Sequence, residues 1–308
     1  MINLNVIKNR KIWLFVSGLL VSLSIISLIL WGLNFGIDFT GGSLLELKFN
    51  NKNISVLELK ESLSDLNLNS LTIQPTEGGS VILRFKDDQP ELHSQIIEKL
   101  NYLAQEKTEN NEENNKLIEE LRFDSVGPSI GKELKSKSFN TIFLVLIIIV
   151  LYVSLVFKKV SKPVSSWKYG IAAIIALFHD VLIVLGVFSV LGHFYNIEIN
   201  TPFIAAILTV LGYSVNDTII VFDRIRENLP RSVDNFMNTI NKSINQTLTR
   251  SINTSFTTLL VLLAIIIFGG ASIRDFVLAL AIGIFIGTYS SIFIASPTLV
   301  WFDNLRKK

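Results

Sequence analysis

Six runs of apolar residues decide what this chain can fold into. They lie near residues 12–31, 139–157, 169–191, 203–222, 252–268 and 276–300, close to the roughly 20 residues needed to cross the hydrocarbon of a bilayer. Inside lipid a segment must satisfy its own backbone hydrogen bonds, so runs of this length are read as transmembrane α-helices. With 49% hydrophobic and 18% charged residues over 308 positions, the chain is too apolar for an ordinary soluble domain. The first run follows Lys8, Arg10 and Lys11, as a signal peptide would. It is too long for a signal h-region and no small-x-small cleavage site follows, so it is expected to remain as an anchor.

The placement of Lys and Arg in short loops sets an orientation. Lys8, Arg10 and Lys11 precede the first span; Lys158, Lys159, Lys162 and Lys168 join the second and third. Arg224, Arg226, Arg231 and Lys242 join the fourth and fifth, and Arg306, Lys307 and Lys308 close the chain. All fall on one side of a six-span topology. Both termini are therefore expected in the cytoplasm.

Three parts follow: residues 1–31, a short N-terminal segment with the first span; 32–138, a polar domain on the outer side; and 139–308, the five remaining spans with their loops. The middle part carries 18 Asp/Glu against 12 Lys/Arg, a net charge of −6 that leaves the rest of the chain at +8. Residues 43–49 alternate as a strand, and 55–66 carry helical spacing at Val56, Leu59, Leu63 and Leu66. Residues 71–75 and 80–85 read as strands joined around Glu77-Gly78-Gly79. A helix over 90–107 and a strand over 117–125 complete a βαββαβ order, which fits an α+β ferredoxin-like domain. The Glu/Asn-rich stretch 106–120 looks like a solvated helix end and loop.

A carboxylate within a membrane span is expensive, roughly 2.5–3.5 kcal/mol at the helix centre on insertion scales, and such groups mark ion and proton pathways. Asp217 sits in the fourth run, with Ser214, Asn216 and Thr218 near it, and Asp180 sits midway along the third, beside His179. Arg250 opens the fifth, followed by Asn253, Thr254, Thr257 and Thr258 on one helical face. Asp217 and Arg250 lie toward the cytoplasmic ends of antiparallel neighbours, so depth permits an ion pair between them. That pair is either a proton switch or a static packing element. For Asp180 a second relay station and a structural hydrogen bond remain equally open.

Gly36-Ile-Asp-Phe-Thr-Gly-Gly42 leaves the first span, and Gly36, Gly41 and Gly42 suit tight turning, with Asp38 in a structural turn. Val126-Gly-Pro-Ser-Ile-Gly-Lys-Glu-Leu134 enters the second span, where Gly127 and Pro128 read as a joint. Ala279, Gly283, Gly287 and Ser291 recur every four residues, the small-xxx-small spacing that brings membrane helices close. The chain has no cysteine and only three histidines, at 93, 179 and 193. That removes disulfides, thiolate metal sites and cysteine nucleophiles, and makes a histidine-rich metal site unexpected. No phosphate loop, His-Glu-x-x-His or Gly-x-Ser-x-Gly motif occurs, so no enzymatic activity is expected.

Several of these stretches carry a resemblance. Gly36-Ile-Asp-Phe-Thr-Gly-Gly42, Val126-Gly-Pro-Ser-Ile-Gly-Lys-Glu-Leu134 and the run from Gly212 through Asn-Asp-Thr to Asn228 resemble the SecD/SecF family of protein-export membrane proteins, on its SecF side. So do Gln246-Thr-Leu-Thr-Arg-Ser-Ile-Asn-Thr-Ser-Phe-Thr-Thr-Leu259 and Gly283-Ile-Phe-Ile-Gly-Thr-Tyr-Ser-Ser-Ile-Phe-Ile-Ala-Ser-Pro297. Residues 50–120 carry little of the signature. The resemblance implies half of an RND-superfamily body in the bacterial inner membrane, with the polar domain in the periplasm. It implies SecD as partner, the SecYEG channel and YajC nearby, exported polypeptide as substrate and lipid as surroundings, with no nucleic acid. No cofactor is implied beyond the proton as coupling ion. In that family the aspartate of the Asn-Asp-Thr motif and the arginine of Thr-Leu-x-Arg are implicated in proton transport, and they match Asp217 and Arg250. Two other classes fit the residues less well: a stand-alone lipid or small-molecule exporter, and an intramembrane aspartyl protease using Asp180 and Asp217.

Overall fold

The computed structural model describes residues 4–50, 54–66, 68, 70–76, 79–86, 90–106, 117–157 and 165–307. Lys158, Lys159, Lys162 and Lys308, the Glu77-Gly78 turn and most of the 106–120 stretch fall outside the described residues. The chain divides into two compact units: residues 1–34 with 138–308, and residues 35–137.

The second unit opens with a short helix, α2 (Ile37–Thr40), and continues through β1 (Gly42–Phe49), α3 (Val56–Ser62), β2 (Thr72–Pro75), β3 (Ser80–Phe85), α4 (Pro90–Glu106) and β4 (Ile118–Val126). The strands form one antiparallel sheet in the order β2-β3-β1-β4, with a bulge at Glu46/Leu47 where β1 pairs β4. Strands joined through a helix are therefore separated by one other strand, the split βαβ arrangement of ferredoxin-like folds. Ser55 starts α3 with a reciprocal capping box: Glu58 N–H donates to Ser55 Oγ, and Ser55 N–H donates to the Glu58 carboxylate at 2.9 Å. Alternate residues Leu45, Leu47 and Phe49 of β1 and Val81, Leu83 and Phe85 of β3 meet Leu59 and Leu63 of α3 and Ile96, Leu100 and Ala104 of α4. Period two on the strands and period four on the helices face each other, which makes the core.

The first unit contains the long helices. They are α1 (Arg10–Trp31), the membrane part of α5 (Pro128–Val156), α6 (Ser166–Tyr195), α7 (Thr201–Asn228), α8 (Phe236–Phe268), α9 (Ala271–Ser290), a π-turn (Ser291–Ala295) and α10 (Ser296–Lys307). Among the described residues, six helical spans are long and apolar enough to cross a membrane, the last running through α9, the π-turn and α10. α6, α7 and that last span form the interior, being half buried or more, whereas α1, α5 and α8 bury less than a fifth of their apolar windows.

α8 begins 16 residues before the expected start at 252. Its first half is rich in Asn, Ser, Thr and Gln, so an apolar run does not reveal it. Ile240, Ile244 and Leu248 are nonetheless buried at four-residue spacing, and Asn235 caps its start by accepting Asn238 N–H at 2.9 Å.

Candidate functional site

α6 and α7 each carry one carboxylate into the bundle interior. Asp180 is fully buried and Asp217 is 4% exposed. Ser214 and Ser290 both donate to Asp180 Oδ2, at 2.6 and 2.8 Å. His179 Nδ1 lies 3.0 Å from Asp180 Oδ1. Asp217 is held by Ser251, which donates to Oδ1 at 2.5 Å, and by Ser291, which donates to Oδ2 at 2.5 Å. Two serine hydroxyls thus hold each aspartate, contributed by neighbouring helices.

Close helix approach makes these short bonds possible. A Cβ at Gly283 would collide with the Val210 side chain, and one at Gly287 would lie 2.9 Å from Ser214 Cβ, so α9 sits directly on α7. Where α9 ends, the chain adds the π-turn, supported by Ser296 Oγ donating to Ser291 O at 3.3 Å. Single π-turns inside helices frequently occur at functional sites. This one begins at the consecutive serines that reach the two different carboxylates. One turn back, Ser255 and Thr288 share a hydrogen bond of 2.5 Å between α8 and α9, and Tyr213 donates to Ser255 at 3.4 Å.

The ion pair expected between Asp217 and Arg250 is not formed. Ser251 faces α7 and binds the carboxylate, and successive helical residues point about 100° apart, so Arg250 is turned away and exposed. Its side chain has no carboxylate partner among the described residues. Asn253, Thr254 and Thr257 are exposed on the same side of α8, while Ser251, Ser255 and Leu262 are buried. α8 therefore presents a polar outer face at membrane depth. His179 Nε2 and Thr218 Oγ1 are buried without a hydrogen-bond partner among the described residues, and the His179 ring stacks on Tyr289 at 6.2 Å. No cluster of three or more His, Cys, Asp or Glu suited to a metal ion occurs among the described residues.

The sequence does not single out the four caging serines: Ser214 reads only as a neighbour of Asp217, and Ser291 only as a small residue in a packing stripe. A hydroxyl in an apolar helix does not mark such a cage, because it can donate to a carbonyl of its own helix, as Ser22 and Thr209 do.

The glycines singled out at the other unit form a tight joint within residues 35–137. Gly36 precedes α2, and Asp38 lies in its first turn. Gly41 and Gly42 have φ of 76° and 118°, which favour glycine. A Cβ on Gly41 would lie 2.7 Å from Pro128 Cα, and one on Gly131 3.0 Å from Gly41 N. Pro128 is the first residue of α5, and Gly127 O accepts Gly131 N–H at 3.0 Å.

Buried, hydroxyl-held carboxylates inside six helices capable of spanning a membrane, joined to a small α+β unit, define a multi-pass membrane protein with ionisable groups in its interior. Two family models match the chain: the SecD/SecF GG motif over residues 27–52, and the C-terminal region of protein export membrane protein SecD/SecF over residues 106–305. The protein translocase subunit SecF of Thermobaculum terrenum is 41% identical over 98% of this chain and 94% of its own length. That of Sebaldella termitidis is 37% identical over 99% and 94%. The chain belongs to the SecD/SecF family. The protein translocase subunit SecDF of Thermus thermophilus is 38% identical over 90% of this chain but only 35% of its own length. A crystal structure of SecDF from that organism, described as a translocon-associated membrane protein, superposes with a TM-score of 0.82 at 34% identity, covering 98% of this chain and 39% of the other. A crystal structure of SecDF in a super-membrane-facing form gives 0.69 at 35% identity over 100% and 40%.

Proposed function

We propose that this chain is the SecF-type subunit of a Sec protein translocase and that it couples proton flow to the late stages of polypeptide export. The observation that carries the reading is the cage of Asp217. A cation beside it would lock the carboxylate in its charged form, whereas a serine donates to a carboxylate and accepts from a carboxylic acid. Hydroxyl partners therefore hold either protonation state, as a group that loads and releases a proton requires. One elementary charge crossing 100 mV supplies about 2.3 kcal/mol, enough to bias a two-state motion. Asp180 serves as a second station, in its own cage.

The partner in this reading is a SecD-type chain. The relatives named SecDF, of which this chain matches little more than a third, support the pairing. The outer face of α8 supports it physically, because Arg250 and Asn253 need polar company at membrane depth, whereas Thr254 and Thr257 already donate to carbonyls of their own helix. Arg250 then acts at the face between the two chains. SecYEG as channel, YajC as neighbour, the inner membrane as location, cytoplasmic termini and a periplasmic 35–137 unit complete the proposal. A protease would need its two aspartates acting on one substrate bond, but here each binds its own pair of serines.

Asp217→Asn keeps shape and hydrogen bonding while removing titration. In inverted vesicles carrying this chain with its partner, the variant should insert normally and lose the part of export that depends on proton-motive force. Export equal to wild type across a range of proton-motive force would refute the assignment.

A further inference from the structure

Ser290 and Ser291 are neighbours in sequence but serve different aspartates. Each hydroxyl also reaches a backbone carbonyl one turn back: Ser290 Oγ lies 3.1 Å from Gly287 O, and Ser291 Oγ lies 3.0 Å from Thr288 O. Each therefore has one proton to give and two acceptors in range. Ser214 and Ser251, on the opposite sides of the cages, have only the carboxylate as acceptor among the described residues.

This difference makes Ser290 and Ser291 two-position rotors. Facing a carboxylate, the hydroxyl donates to it. When the carboxylate takes a proton it becomes a donor, so the serine turns its hydrogen to the carbonyl and accepts from the acid. Gly287 O links the two rotors, because it also accepts the Ser291 backbone N–H. The π-turn that starts at Ser291 links them further. Its extra residue can shift along the helix, and a one-residue change of register rotates side chains by about 100°. Ser291 opens that turn and Ser290 is the residue immediately before it, so a shift at the turn bears on both hydroxyls.

We propose that the π-turn Ser291–Ala295 couples the two carboxylates, with Ser290 and Ser291 as positioning residues, so that a change of protonation at Asp217 resets the hydrogen bonding of Asp180. The proposal rests on the reading of Asp217 as the proton-carrying group. The titratable groups around the pair are His179 on Asp180, Tyr289 stacked on His179, and Tyr213, which bonds Ser255 one turn from Ser251. Arg250, the cation next to Ser251, is turned outward.

The test is infrared spectroscopy on the full chain in lipid nanodiscs with carbon-13-labelled aspartate. The Asp180 band is assigned by its loss in Asp180→Asn. Asp217→Asn, which mimics the neutral carboxyl, should move that band, and Ser251→Ala, which perturbs Asp217 while keeping it, should move it as well. In a Ser290→Ala or Ser291→Ala background the band should stop responding, and Ser291→Thr, which keeps the hydroxyl, should restore the response. Proton-driven export should fall about tenfold in Ser291→Ala, the effect of losing one hydrogen bond to a charged group, with thermal melting close to wild type. An Asp180 band indifferent to both Asp217→Asn and Ser251→Ala would overturn the coupling. If the band responds but Asp217→Asn exports normally, the coupling stands and the proton-transport reading falls.

Discussion

The 35–137 unit and helix α1 of the long-helix unit bury opposite kinds of residue, although the rest of the helical unit has an apolar core of its own around Phe157, Tyr169 and Phe222. In the 35–137 unit the interior is Leu45, Leu47, Leu83, Phe85 and Ile96, as water outside demands. On α1 the buried residues are three serines, Ser17, Ser24 and Ser27, while Phe15, Leu19, Leu23 and Ile29 are exposed. Ser24 and Ser27 work against α6: Ser27 donates to Gly186 O at 3.1 Å, Ser189 donates to Ser27 O at 2.9 Å, and Gly186 leaves no room for a Cβ beside Ser24; Ser17 instead shares a 3.0 Å hydrogen bond with Tyr289 of α9. Lipid is as apolar as leucine, so burying leucine there gains little; close backbone approach and hydrogen bonds hold the helices instead. On a helix with an apolar outer face, small polar residues make the buried stripe.

Putting the wrong interior into each unit tests this contrast. Leu45→Ser gives the α+β core a residue that suits α1; a cavity plus an unpaired hydroxyl should destabilise that unit by on the order of 5 kcal/mol. Hydrogen exchange on the full chain should show protection lost across 35–137 and kept in the long helices. Gly283→Val forces bulk between α9 and α7, and overpacking of this kind costs about 1–3 kcal/mol. A thermal melt in detergent should fall accordingly, and an unchanged melt would show that the helices are not held by close approach. Ser27→Ala removes one interhelical hydrogen bond, worth about 0.6 kcal/mol in membranes, so a shift comparable to that of Leu45→Ser would break the comparison.

The smallest effect belongs to the water-exposed surface. A hydrogen bond from Lys99, followed by its charge and by Ser64, holds the Asp65 carboxyl below its ordinary range. Lys99→Met should let the Asp65 titration rise toward that range in NMR, with no resolvable change in stability, because exposed pairs contribute little.

What the sequence disclosed follows the same division. Spans and strands were legible because hydrophobic period and length report directly on the surrounding solvent; the run over 80–85 and the spacing of Leu59 and Leu63 are examples. The polar half of α8 was not, because its buried Ile240, Ile244 and Leu248 are outnumbered by amides and hydroxyls. Asp180 and Asp217 were conspicuous as charges in apolar runs. Their partners were not, because serine is ordinary in any sequence and which of two adjacent residues faces a neighbour depends on helix rotation. Arg250 and Ser251 show this: the charge drew the pairing and the hydroxyl beside it made the bond.

The joint at Gly41 and Pro128 has a consequence for how the chain can vary. β1 and β4 are antiparallel neighbours, with Gly42 opposite Val126. The chain therefore enters and leaves the α+β unit at one doorway, closed by glycines that admit no larger side chain. Whatever is lengthened, shortened or exchanged beyond that doorway leaves its width unchanged.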